Sequence, residues 1–172
     1  MTISNKLTIL RIILVPVFVA LMMLDMGIAA TIVFVVASLT DMLDGYLARK
    51  RNEITNFGKF ADPIADKILV VSALLCLMEI AVIPAWAVII VIAREFIVSG
   101  LRMSAASQDV VIAADGFGKI KTITQMVSIT MLLLGIGGIF GIIAQVLFYV
   151  SVVLTFLSGV SYIVKYKDVL MK

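Results

Sequence analysis

The sequence contains no histidine and one cysteine, Cys76. The absence of histidine excludes imidazole general bases, histidine metal ligands and phosphohistidine chemistry. A single thiol cannot form an internal disulfide, and Cys76 lies in an apolar run, so we expect a small buried hydrophobic residue there. Charge is also scarce: charged residues make up 15% of the chain, against about a quarter in soluble domains. This composition excludes an ordinary soluble domain.

Apolar residues dominate the 172-residue chain, at 63% of the total, with a mean hydropathy of +1.20. Such values indicate a membrane protein, and the length allows about five to seven spans of about 20 residues each. We expect one transmembrane domain over residues 1–172. The first 24 residues resemble a signal peptide, but no small-residue cleavage site stands out and more apolar runs follow directly.

The apolar runs predict an all-α, polytopic integral membrane protein with six transmembrane helices. We place these helices near residues 6–25, 28–50, 59–79, 84–105, 117–136 and 142–165. Turn-forming residues separate them, including the glycine-rich run "GIGGIFG" at 135–141.

Basic residues fall on one side of this predicted topology. The first, third and fifth connections contain no Lys or Arg, whereas the even connections and both ends of the chain are basic. By the positive-inside rule, both termini and the even connections face the cytoplasm. The pattern predicts a multi-pass protein of the cell (inner or plasma) membrane.

Two pairs of aspartates interrupt the apolar sequence, in the segment "DMLDGYLARKRNEITNFGKFADPIAD" at 41–66. A charge at the centre of a membrane helix costs roughly 2.5–3.5 kcal/mol on insertion scales, so these carboxylates need water, metal or partner charges. On a helix, Asp44 lies about 60° from Asp41, and Asp62 and Asp66 are one turn apart. The antiparallel pair of helices would bring all four to a similar depth near the cytoplasmic face.

Four carboxylates without histidine or cysteine favour two divalent cations, Mg²⁺ or Mn²⁺, rather than zinc. Two such cations about 3.5–4 Å apart can stabilise a displacement at phosphorus. The small residues Gly45 and Ala48 would let a phosphate approach the same helix face. Two other interpretations stay open: a solvated helix face, or a structural ion-pair cluster with Arg49, Lys59 and Lys67.

The complete spacing D-x-x-D-G-x-x-A-R-x8-G-x3-D-x3-D resembles the signature of the CDP-alcohol phosphotransferases. It is carried by Asp41, Asp44, Gly45, Ala48, Arg49, Gly58, Asp62 and Asp66. The resemblance implies the six-helix fold of that family, a homodimer, and transfer of a phosphatidyl or similar group from a CDP-linked donor to an alcohol with release of CMP. It also implies that all four aspartates bind metal, that Asp66 is the base, and that Asp41, Gly45, Ala48, Arg49 and Gly58 bind CDP.

Basic residues on the fourth and fifth predicted helices are candidates for the phosphate of the acceptor. Arg94 lies mid-helix, where a buried arginine is a functional hypothesis by default. The further candidates are Arg102, Lys119 and Lys121. The alternatives are an arginine paired structurally with an aspartate and lysines that anchor the interface. We expect Glu95 not to face Arg94, because adjacent helical residues point apart.

The outer motifs "NKLTILRIILVP", "REFIVSGLR" and "GKIKT" resemble the members of the family that use glycerol 3-phosphate. The resemblance implies CDP-diacylglycerol as the donor, phosphatidylglycerol phosphate as the product, and substrate contacts from Asn5, Thr8 and Lys59. Inositol phosphate, serine or phosphatidylglycerol stay open as acceptors. A divalent-cation transporter is the alternative from another class. We expect membrane lipid around the protein and no nucleic-acid partner.

Overall fold

A computed structural model of the chain describes residues 3–51, 56–107 and 116–166. Over these residues the chain forms six α-helices and no strand, which confirms the all-α prediction. The helices are α1 (Ile3–Met23), α2 (Gly27–Arg51), α3 (Asn56–Glu79), α4 (Ala85–Ser107), α5 (Gly116–Leu133) and α6 (Gly138–Lys165). Each corresponds to one predicted apolar run.

The helix ends follow from local backbone chemistry. After α1, Asp25 adopts the left-handed conformation (φ 57°) and the Met26 N–H donates to the Leu21 carbonyl oxygen at 2.9 Å, which closes the turn before α2. The predicted turn at 135–141 is too long. Because Gly135 (φ 62°) and Gly138 (φ 66°) reverse the chain within four residues, α6 begins at Gly138 and includes Gly141.

The chain divides into two compact units. The N-terminal unit comprises Met1–Ile80 with Leu133–Gly135, and in it α1 packs against α2 and α3, which also contact each other. Phe18 and Phe34 are fully buried there, with ring centroids 5.9 Å apart. Cys76 is buried, as expected.

The C-terminal unit comprises Ala81–Leu132 with Ile136–Lys172, and in it α4 packs against α6. Apolar residues of α4 at helical spacing, including Val91 and Val98, are buried, as are Phe148 and Val152 of α6. The Gln145 side-chain amide donates to the Val82 carbonyl oxygen at 3.0 Å and so ties the segment before α4 to α6.

Apolar side chains are exposed on every described helix, while several polar side chains are buried. The exposed residues include Ile13, Ile28, Ile68, Ile89, Ile123 and Ile139. The buried polar residues include Thr8, Arg11, Lys121, Gln125, Ser151 and Thr155. A water-soluble protein places its charged residues outside, so this distribution fits a membrane-associated protein.

Only α6, among the described helices, is both long and apolar enough to cross a membrane by these two criteria. The apolar stretches of α1, α2 and α5 are shorter, at Leu7–Met23, Gly27–Thr40 and Ile120–Leu133. Charged residues adjoin them, such as Asp41 after the stretch in α2. The six membrane spans and the single catalytic domain therefore stay predictions.

Candidate active site

The aspartate pattern lies on two helices that contact each other. Asp41 and Asp44 belong to the second half of α2, and Asp62 and Asp66 belong to the first half of α3. Both segments are continuous α-helix, so the i, i+3 and i, i+4 spacings do place each pair on one helix face.

The observed helix bounds also match the levels of the two pairs. Four residues separate Arg51 at the end of α2 from Asn56 at the start of α3. With a rise of about 1.5 Å per residue, Asp41 and Asp66 each lie about 15 Å from that connection, and Asp44 and Asp62 about 10 Å from it. The helices thus carry the four aspartates at two matched levels.

The side chains of this pattern lie outside the described residues, although their helices do not. This holds for Asp41, Asp44, Gly45, Ala48, Arg49, Gly58, Lys59, Asp62, Asp66 and also Asn5. Among the side chains that are described, no group of three His, Cys, Asp or Glu residues could hold a metal. The donor set of the pattern consists of hard carboxylate oxygens alone, which fits Mg²⁺ or Mn²⁺.

Two polar residues of α1 are fully buried in the same unit. Thr8, a predicted substrate contact, and Arg11 lie three residues apart on one face of α1, and neither is exposed to solvent. Arg11 is a buried cation on α1, and α1 contacts both aspartate-bearing helices, α2 and α3. The sequence alone marked Arg11 as a basic residue near the N-terminus and as part of the motif "NKLTILRIILVP", without assigning it to the site. An arginine within an apolar helix is a candidate functional residue, and this criterion, which selected Arg94, also applies to Arg11.

The C-terminal unit contains a cationic cluster, which we define as Arg94, Arg102 and Lys121. Arg94 Nη1 donates to Glu95 Oε1 at 3.2 Å, and Arg94 Nη2 donates to Ser158 Oγ at 2.7 Å. The Lys121 ammonium donates to the same Glu95 oxygen. Lys121 is 2% exposed. The cluster thus lies on α4 and α5, is hydrogen-bonded to α6 through Ser158, and includes three of the four residues predicted to bind the acceptor phosphate.

The structure corrects the prediction for Glu95. Adjacent Cβ atoms do diverge around a helix, but the long side chains of Arg94 and Glu95 bend toward each other and form an ion pair. Among the described side chains, the acidic partner of Arg94 is therefore a glutamate. Lys119 lies on α5, but its side chain is outside the described residues.

Tyr162 of α6 lies between the two arginines of the cluster. Its ring centroid is 5.9 Å from Arg94 Cζ and 5.5 Å from Arg102 Cζ, and its hydroxyl accepts a hydrogen bond from Arg102 Nη2 at 2.8 Å. Gly159, one turn earlier on α6, lies against the Arg94 stem: a Cβ there would stand 3.0 Å from Arg94 Cγ. Sequence reasoning missed Ser158, Gly159 and Tyr162.

One donor of this cluster has no hydrogen-bond partner among the described residues. Arg94 Nε is buried, and its N–H is unpaired. Buried donors are rarely left unsatisfied in folded proteins. A planar guanidinium with an uncommitted N–H beside a buried ammonium suits an oxyanion such as phosphate.

Comparison with known proteins agrees with the pattern on α2 and α3. The sequence model of the CDP-alcohol phosphatidyltransferase family matches residues 1–157. Three relatives share the name CDP-diacylglycerol–glycerol-3-phosphate 3-phosphatidyltransferase. The Bacillus subtilis (strain 168) protein is 46% identical over 145 residues, covering 76% of this chain and 75% of the relative. The Haemophilus influenzae protein is 41% identical over 167 residues, covering 91% and 89%.

The third relative, from Rickettsia typhi, is 38% identical over 165 residues, which cover 92% of this chain and 93% of the relative. The family match over residues 1–157 includes both aspartate-bearing helices and also α4 and α5, which carry the cationic cluster. By the extent of the family match and of these alignments, the chain belongs to the CDP-alcohol phosphatidyltransferase family.

Proposed function

We propose that the protein transfers the phosphatidyl group of CDP-diacylglycerol to glycerol 3-phosphate, giving phosphatidylglycerol phosphate and CMP. The observation that carries this proposal is the complete eight-residue pattern on two contacting helices, in a chain of the matched family. The names of the relatives support the choice of donor and acceptor.

Asp41, Asp44, Asp62 and Asp66 are the proposed metal ligands. Their carboxylates supply the hard oxygen donors that two Mg²⁺ or Mn²⁺ ions require. When bound, the two cations would supply positive charge next to the diphosphate oxygens, where negative charge accumulates in the displacement. Asp41, Gly45, Ala48, Arg49 and Gly58 would bind the CDP moiety, and Asn5, Thr8 and Lys59 are further substrate contacts.

Asp66 is the proposed general base. It takes the proton from the primary hydroxyl of the acceptor while that oxygen bonds to the phosphorus that carries the diacylglycerol group. The bond from this phosphorus to the bridging oxygen of the diphosphate breaks, and CMP leaves with that oxygen. Holding donor and acceptor in line for this attack is the main task of the remaining residues.

Arg94, Arg102, Lys119 and Lys121 are the proposed ligands of the acceptor phosphate. Two features of the C-terminal unit support this assignment: the buried Lys121 ammonium and the unpaired Arg94 Nε donor. Serine carries no phosphate and would leave such a cluster without a ligand. The cluster therefore favours an acceptor that is a phosphomonoester.

The proposed enzyme works at the cytoplasmic surface of the cell membrane as a homodimer. All six described helices would span the bilayer as one catalytic domain, with both termini in the cytoplasm. The exposed apolar side chains on every described helix support this arrangement. CDP-diacylglycerol would keep its acyl chains in lipid while its nucleotide reaches the aqueous phase. Light scattering of the protein in detergent would test the dimer.

One assay tests the reaction. The purified protein is given CDP-diacylglycerol, Mg²⁺ and one acceptor at a time, and CMP release is followed. We expect CMP release with glycerol 3-phosphate and with none of the other acceptors. Release only with inositol phosphate, serine or phosphatidylglycerol would change the acceptor within the family, and metal flux into vesicles without CMP release would support a transporter.

A further inference from the structure

We propose that Glu95 is a positioning residue that holds the Arg94 guanidinium and the Lys121 ammonium together for the acceptor phosphate. This inference rests on the proposed function, because it concerns the phosphate site of the same reaction. Glu95 itself does not touch the substrate in this proposal. It acts through the two cations.

The shared oxygen is the first observation. Glu95 Oε1 accepts hydrogen bonds from Arg94 Nη1 and from Lys121 Nζ, which come from different helices, α4 and α5. Two nitrogens bound to one oxygen lie within about 6 Å of each other. Without a carboxylate between them, two like charges at that separation repel. Glu95 therefore sets the spacing of two cations that would otherwise move apart.

The restraint of Arg94 is the second observation. Its guanidinium is fixed at two points, by Glu95 Oε1 and by Ser158 Oγ, and its stem lies against Gly159. This arrangement leaves the buried Nε donor unpaired among the described residues. A guanidinium whose two Nη atoms are anchored, with its Nε donor unpaired among the described residues, can bind an oxyanion without first being ordered.

The charge balance is the third observation. Three cations, Arg94, Arg102 and Lys121, together with the Glu95 carboxylate give a net charge of +2. A phosphomonoester carries about −1.5 to −2 charges at pH 7. Glu95 therefore lowers the positive charge of these described side chains to the range of a phosphomonoester dianion, and it compensates the cations when no acceptor is bound.

The test compares Glu95→Gln with Glu95→Asp in the full chain, using the CMP assay. We expect Glu95→Gln to raise the KM for glycerol 3-phosphate about 10- to 100-fold, the value of one charge-assisted hydrogen bond. The KM for CDP-diacylglycerol should stay within about twofold, because the donor does not use this cluster. Glu95→Asp keeps the charge and should recover most of the loss.

Two further variants serve as controls. Ser158→Ala removes the other anchor of Arg94 without a buried charge, so it should fold normally and raise the acceptor KM by about threefold. Glu79→Gln removes an exposed carboxylate at the end of α3 and should change neither KM. An unchanged acceptor KM in Glu95→Gln would overturn the proposal. The proposal would also be overturned if both KM values rose equally and the Tm of Glu95→Gln fell, while Glu95→Asp did not restore the wild-type values.

A binding measurement separates this inference from the proposed function. Glycerol 3-phosphate or inorganic phosphate, without donor, should raise the Tm of the wild-type protein and not that of Glu95→Gln. If the ligand raises the Tm of the wild type alone but the wild type releases no CMP, the proposed reaction is rejected and the role of Glu95 is kept. CMP release with equal Tm shifts in both proteins would reject the role of Glu95 alone.

Discussion

The candidate site residues of the two compact units have opposite charges, and the sequence encodes the two sets differently. The N-terminal unit carries acidic residues at fixed short spacings on α2 and α3, so that a helix alone places them on one face. The C-terminal unit carries a basic cluster in which Arg94 bonds to a residue 64 positions away and Arg102 to one 60 positions away. Local spacing is visible in a sequence, whereas contacts between distant helices are not. The four substitutions below should distinguish the two units through their effects on turnover, on the Mg²⁺ dependence and on the KM for the acceptor.

Asp66→Asn should have the largest effect, because it removes both a proposed metal ligand and the general base. We expect kcat to fall by about 10³-fold or more, since a general base alone contributes about 10²- to 10⁴-fold. CMP release measures the loss. Asp25→Asn is the matched control in the same unit, because asparagine tolerates the left-handed backbone at that exposed position. Normal turnover in Asp66→Asn would remove the base assignment.

Asp44→Asn should act mainly on the metal. Losing one charged ligand should raise the Mg²⁺ concentration for half-maximal CMP release by about 10- to 100-fold, as seen when metal sites are weakened. Excess Mg²⁺ should restore part of the rate. A Mg²⁺ dependence like that of the wild type would contradict the placement of Asp44 in a metal site.

Arg94→Ala should act on the acceptor. We expect the KM for glycerol 3-phosphate to rise about 10- to 100-fold, through loss of charged hydrogen bonds. The KM for CDP-diacylglycerol should rise less, which provides the internal control. If the acceptor KM is unchanged, Arg94 is structural and its contacts with Glu95 and Ser158 serve helix packing alone.

Tyr162→Phe should have the smallest effect. The ring stays between the two arginines, and one hydrogen bond from Arg102 is lost, so the acceptor KM should rise by about two- to fivefold. Tyr162→Leu also removes the cation–π contacts and should raise it further. Tyr149→Phe is the control on the same helix, since that ring stacks on Trp86 instead, with centroids 6.0 Å apart. A larger effect from Tyr149→Phe would mean that α6 packing, not the cluster, determines the KM.

Much of the architecture was predictable from the sequence. Long apolar runs with intervening turn residues specify helices, and the bounds differ from the predictions by a few residues. The error at 135–141 arose because glycine marks a turn without giving its length. The short spacings on α2 and α3 gave the candidate metal ligands for the same local reason.

The network around Arg94 was not predictable in the same way. Ser158 and Tyr162 are ordinary helical residues in the sequence, and their role depends on how α6 is rotated against α4. The prediction for Glu95 failed for another reason. It considered the direction of the Cβ atoms and neglected the reach of two long side chains.

The ion pair between neighbours on α4 also bears on biosynthesis. Inserting an uncompensated arginine at mid-helix costs roughly 2.5–3.5 kcal/mol. In the proposed six-span arrangement, Arg94 would enter the bilayer with its counter-ion at the next position, so that Arg94 and Glu95 would insert as a neutral pair. Lys121 and Ser158 are translated later and find that pair already in place. In that arrangement, the order of synthesis would leave Arg94 paired with its counter-ion at every step of insertion.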